Sequence, residues 1–114
     1  MIEGFETETA ELTDYEKDTL LPLLVKGLNS KIGVENAITN GQIVKSMTEK
    51  GYKISSVRVR KIINYIRIKH LVYNLVSSSK GYYRSTDPEE IRKYVKSLMQ
   101  RATAIEEVAK SFIV

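Results

Sequence analysis

ISSVRVRKIINYIRIK, residues 54–69, carries apolar side chains at Val59, Ile62, Ile63 and Ile66. That is the i, i+3, i+4, i+7 stripe of a helix lying on a core. Ser55 and Ser56 stand just ahead of the stripe, and serine is a good N-cap because its hydroxyl accepts a free first-turn N–H. At about 100° per residue the opposite face holds Val57, Lys61, Asn64 and Ile68, with Arg60 and Tyr65 beside them. Arg58 and Arg67 fall on the shoulders. One face is therefore made for burial. The other offers Arg, Lys and Asn, the residue types that read base edges.

Working back from this helix, the turn before it is short. Only Gly51, Tyr52, Lys53 and Ile54 separate it from an earlier helical pattern. That pattern opens on Thr39-Asn40-Gly41-Gln42, a capping box, and places Ile43, Val44 and Met47 on the core side. Gly51 falls where a helix-ending left-handed residue belongs. Two short helices joined by a tight turn with glycine, the second helix basic, form a helix-turn-helix pattern. Further back, Thr13-Asp14-Tyr15-Glu16 is another capping box. Leu21, Leu24, Val25 and Leu28 then give a core stripe that Pro22 should kink, because it removes a helical hydrogen bond and crowds the carbonyl of Asp18. A loop at 29–36 contains Gly33. Residues 1–11 lack periodicity and carry Glu3, Glu6, Glu8 and Glu11, so they read as an acidic, flexible arm.

Working forward, Leu71 to Ser77 and Tyr82 to Ser85 are two β-forming runs around Ser78-Ser79-Lys80-Gly81, a hairpin signal. This loop lacks the further glycines and following helix of a phosphate cradle. Ala37-Ile38 is expected to add a third strand. Asp87-Pro88-Glu89-Glu90 then starts a helix, with Asp as cap and Pro at the first position. It is expected to run to about Ile113. Its apolar residues Ile91, Val95, Leu98, Ala102, Ile105, Ala109 and Phe112 alternate in spacings of four and three, a heptad seam. At ~40 Å, from 1.5 Å per residue, it exceeds what a small domain needs.

The fold class expected is mainly α with a small β-hairpin. The domains are an acidic arm at 1–11, a helix-turn-helix and hairpin domain at 12–86, and a C-terminal helix at 87–114. This order resembles that of the small winged helix-turn-helix proteins of phage and prophage regions. The likeness rests on AITN (37–40), SVRVRKIINYIR (56–67), VSSSKGYY (76–83) and DPEEI (87–91). It implies DNA binding in phage gene control or replication. Ile68 departs from the polar outer face expected of such a helix.

Charge is distributed unevenly. The net charge is +4, yet residues 50–86 hold nine bases and no acid, whereas residues 1–49 hold nine acids and four bases. An acid-free block of that length makes a face that attracts a polyanion. The chain has no cysteine, which excludes disulfides and thiolate metal sites. No apolar run approaches a membrane span, and the acidic start lacks the basic n-region of a signal peptide. A cytoplasmic location is expected. His70, the single histidine, reads as a helix-end residue favoured by the macrodipole. Glu89-Glu90 and Glu106-Glu107 are adjacent on helices, so their carboxylates diverge. The expectation is no enzyme, no catalytic residue, no metal, no cofactor and no small-molecule ligand.

The expected function is sequence-specific binding of double-stranded DNA, with helix 55–69 in the major groove and hairpin 73–85 on the backbone. Asn64 suits adenine, Arg60 or Lys61 guanine, and Val57 a thymine methyl. Ser55 and Ser56 lie at the helix start on the same surface. Lys53, Arg58, Arg67, Lys80 and Arg84 are expected on phosphates. Ala102, Ile105, Ala109 and Phe112 are expected to form a homodimer seam, while Tyr94, Val95 and Leu98 close the core of their own domain. The alternative is a protein-interaction module that keeps the fold and binds or inhibits a host protein without specific DNA binding.

Overall fold

The computed structural model describes residues 10–113. All but the last two residues of the acidic arm lie outside them. The chain is mainly helical, with one small antiparallel hairpin and a long C-terminal helix. We label the elements α1 (Leu21–Asn29), α2 (Asn40–Glu49), α3 (Ser56–Ile68), β1 (Leu75–Ser78), β2 (Gly81–Arg84) and α4 (Pro88–Ser111).

The helix starts follow local chemistry. Before α1, the Glu16 N–H donates to Thr13 Oγ1 at 3.1 Å and the Thr13 N–H donates to Glu16 Oε1 at 2.8 Å. The interruption at Pro22 is a π-helical turn, Glu16–Leu20, in which the Leu21 N–H reaches back to the Glu16 carbonyl. Proline has no N–H to offer Asp18, and the wider turn absorbs that loss. Thr39 and Gln42 cap α2 reciprocally. At its end the N–H groups of Gly51 and Tyr52 donate to the carbonyls of Thr48 and Met47, a Schellman closure that needs the positive φ of 88° at Gly51. Ser55 Oγ accepts the Arg58 N–H and starts α3. The same closure ends α3, with His70 in the left-handed position at φ 57°.

α3 is the centre of the core. Val59, Ile62, Ile63 and Ile66 are all buried, against Leu20, Leu24 and Leu28 from the first helical segment, Ile43 and Met47 of α2, and Val72 and Leu75 before and in β1. At about 1.5–3 kcal/mol for each large aliphatic side chain removed from water, this one stripe accounts for much of what holds the three helices together. Ile68 is 73% exposed, so it does not tuck beneath the hairpin. The helix phase is nonetheless as expected, since the stripe at 59, 62, 63 and 66 is the buried one.

β1 and β2 pair from Leu75↔Arg84 to Ser78↔Gly81, leaving Ser79 and Lys80 as the turn. The expected third strand is reduced to a single bridge. Ile38 and Tyr82 exchange N–H···O bonds of 3.0 and 2.7 Å, Thr39 then turns away as the cap of α2, and a second isolated bridge on the same strand pairs Ile32 with Arg84.

α4 begins as expected, with Asp87 Oδ1 accepting the Glu89 N–H and Pro88 at the first position. It ends at Ser111, two residues short of the expected Ile113. Its first half does not close the core. None of its residues is buried, Val95 is 51% and Leu98 41% exposed, and only Glu90, Ile91 and Tyr94 are half-buried where the helix meets β1. The core is already filled by the first three helices and the hairpin, and α4 runs past it.

Candidate nucleic-acid interface

The outer face of α3 is built from the residues left over once its apolar stripe is buried. Arg60 and Asn64 are exposed, and Val57 and Lys61 are half-buried beside them. Ser55 and Ser56 are exposed at the helix start. Asn40, in the first turn of α2, fixes that start. Its Nδ2 donates to the Ser56 carbonyl and to the Tyr82 hydroxyl, both at 3.2 Å, so one amide joins α2, α3 and β2. Asn40 Oδ1 is buried without a partner among the described residues. Lys53 is exposed in the turn between α2 and α3. Its backbone is clamped by Tyr15, whose hydroxyl donates to the Lys53 carbonyl at 3.1 Å and accepts the Lys53 N–H at 3.0 Å. Lys80 is exposed at the hairpin tip, where its N–H donates to Ser78 Oγ.

Three arginines expected to stand free for phosphates are engaged inside the molecule. Arg58 lies against Glu16, with Nε to Oε2 and Nη2 to Oε1 both at 2.8 Å, and its guanidinium also donates to the carbonyls of Ala10 and Glu11. The pair is well covered, with 14% and 6% of the two side chains exposed. The bidentate bond from Arg58 holds the Glu16 carboxyl below its ordinary pKa, against the opposing effect of burial and with help from Thr13. Glu16 in turn raises the Arg58 guanidinium.

Arg67 reaches across to the hairpin. Its Nε donates to the Leu75 carbonyl at 2.8 Å, and its Nη2 donates to Ser77 Oγ at 2.7 Å and to the Tyr94 hydroxyl at 3.1 Å. Its guanidinium carbon lies 5.8 Å from the ring centre of Tyr82 and 5.6 Å from that of Tyr94. Arg84 reaches the end of α1, where its Nη1 donates to the Asn29 carbonyl at 3.0 Å. The surface available to a ligand therefore keeps Lys53, Ser55, Ser56, Val57, Arg60, Lys61, Asn64 and Lys80. Arg58 and Arg84 leave it, and Arg67 forms part of its floor.

Between α3, the hairpin and α4 lies an open cleft of about 770 Å³. Arg60, Asn64 and Arg67 line it from α3, Ser77 and Tyr82 from the hairpin, and Ser97 and Arg101 from α4. Sequence reading missed Arg101, which sits in a helix read only for its apolar seam. Burial of the Tyr83 side chain on β2, with Glu90 as a hydrogen-bonding partner, raises its hydroxyl above the ordinary tyrosine value. His70 is exposed at the end of α3, its ring stacked on Tyr73 at 5.9 Å.

Among the described residues, no helix is long and apolar enough to cross a membrane, and no group of three or more His, Cys, Asp or Glu gathers in a metal-binding arrangement. No protein-family model, curated protein or solved structure matches the chain.

Proposed function

We propose that the chain is a winged helix-turn-helix protein that binds duplex DNA in gene control or replication, of the kind phages and prophages use. α3 is its recognition helix and the β1–β2 hairpin its wing. The observation that carries this reading is the division of α3: one face is buried, and the other presents Arg60 and Asn64 to solvent, with Lys61 half-buried beside them, within a block that contains no acid. Such a face has the donors and acceptors that pair with guanine and adenine in the major groove. Lys53 and Lys80 flank it, one on the turn and one on the wing, where phosphates would run.

Selection from random duplexes tests the reading directly. On the selected site, Arg60→Ala and Asn64→Ala are each expected to cost about 1–3 kcal/mol and to relax the preference at one base pair. Lys80→Ala is expected to weaken binding about equally on all sequences and to reduce the salt slope by about 1. If both α3 variants bind the selected site as tightly as the parent, α3 is not the reading element.

The second half of α4 adds a homodimer to the proposal. Ile105, Val108 and Phe112 are 60–71% exposed, and Ala102 and Ala109 on the same seam are small enough for two helices to approach closely. A twofold pair would set two copies of α3 on half-sites one DNA turn apart, or a multiple of it, so the selected site should be a palindrome. Sedimentation of the full chain at micromolar concentration should show a dimer. Ile105→Glu with Phe112→Glu should give a folded monomer, because these exposed side chains lie outside the core and the new charges face only the partner. A 13.0 kDa species from the parent chain would remove the dimer and direct the seam to a different protein.

A further inference from the structure

We infer that the cleft between α3, the hairpin and α4 is an anion site that takes a phosphate group, held by Arg60, Arg67 and Arg101. The inference stands on the cleft alone and does not rest on the duplex-binding reading. Its centre is Arg67. This guanidinium is half-buried and fixed in place by a carbonyl, two hydroxyls and two tyrosine rings, all of them neutral. None of the ion pairs among the described residues includes it. Taking a positive charge partly out of water without a carboxylate costs free energy that an incoming anion would return. Arg58 makes the contrast within the same helix, for there burial comes with Glu16.

The walls point the same way. Arg60 on one side and Arg101 on the other are exposed, and neither belongs to those ion pairs. No carboxylate lines the cleft among the described residues. Arg60 and Arg101 each bring a planar fork that matches two phosphate oxygens at once, and Arg67, whose Nε and Nη2 are engaged, adds its charge and its Nη1. Ser77 and Ser97 also line the cleft, the Ser77 oxygen already accepting from Arg67. The volume of about 770 Å³ exceeds what a bare phosphate fills. It falls within the range of small-molecule pockets, so the phosphate would arrive either on a phosphorylated molecule or in a stretch of nucleic-acid backbone. Both sources bring the same chemistry.

The test uses the full chain labelled with ¹⁵N and inorganic pyrophosphate as the probe. Saturable amide shifts are expected at Ser77, Ser97 and Arg101. Arg101→Gln should weaken the binding about tenfold, the loss of one charge-assisted contact. Lys110→Gln, which removes a charge from the far end of the same helix, should leave it unchanged. Absence of saturable shifts in the cleft overturns the inference, and so does an equal loss in both variants, since that would mean diffuse attraction to a basic surface. A non-specific duplex added to the pyrophosphate-bound chain identifies the source. If it displaces the probe from these amides, the phosphate belongs to DNA. If it leaves them in place, the ligand is a free phosphorylated molecule, and in either case the site stands. A chain that binds pyrophosphate here but no duplex would defeat the DNA reading without touching this one.

Discussion

Gly81→Ala is expected to lower the stability of the chain by about 2–5 kcal/mol, through backbone rather than side-chain contacts. Gly81 opens β2 at φ 119°, a conformation that L side chains rarely adopt. A Cβ there would lie 2.4 Å from both C and O of Ile38 and 2.7 Å from the Thr39 N. Those atoms cannot step aside cheaply. The Ile38 carbonyl accepts the Tyr82 N–H, and Thr39 is the cap of α2. Relief of the clash would pull the hairpin from the start of α2 and loosen the Asn40 bridge to Ser56 and Tyr82. Gly27→Ala is the control, since its Cβ meets nothing within 4 Å and it sits in α1, where alanine should gain about 0.5–1 kcal/mol. Urea denaturation of the two variants decides the matter. A Gly81→Ala midpoint within error of the parent would mean that the hairpin does not press on Ile38.

Glu16→Gln is expected to cost about 3 kcal/mol, because it leaves the Arg58 guanidinium covered and without its counter-charge. The same pair makes the fold acid-sensitive, and the direction follows from the shift. Bonding to Arg58 depresses the folded-state pKa of Glu16 below its unfolded value. The stabilisation is therefore complete above the unfolded value, about 4.3 for glutamate, and is lost as pH falls from there through the depressed folded one. Denaturation midpoints between pH 3 and 7 should drop on the acid side for the parent and drop less for Glu16→Gln. Replacing both partners, Glu16→Leu with Arg58→Met, should recover part of the loss, since an apolar pair of similar volume leaves no buried charge but gives up the Glu16 cap on the Thr13 N–H. Identical acid profiles for parent and Glu16→Gln would show that the pair contributes nothing to this limb.

The residues that start and stop the helices were legible in the sequence, and so was the phase of α3. Thr13 with Glu16, Thr39 with Gln42, Ser55, Gly51 and Asp87-Pro88 act on backbone groups within about five residues of themselves. Val59, Ile62, Ile63 and Ile66 lie on one side of a single helix whatever that side meets. Such features need no knowledge of the rest of the chain. The fates of the long charged side chains were of a different kind. Arg58 and Arg60 are two residues apart on one helix, yet one is covered by Glu16, 42 positions earlier, and the other is exposed to water. Arg67 reaches Tyr94 and Arg84 reaches Asn29, 27 and 55 positions away. A guanidinium on a flexible stem goes to whichever acceptors tertiary packing brings within reach, and composition alone places all of these arginines equally on a basic face. The periodicity of α4 was legible as well, but in its first half only Glu90, Ile91 and Tyr94 are half-buried, because the first three helices and the hairpin already fill the core. Periodicity within one helix determines which side chains share a face. Only the assembled neighbours decide whether that face is covered.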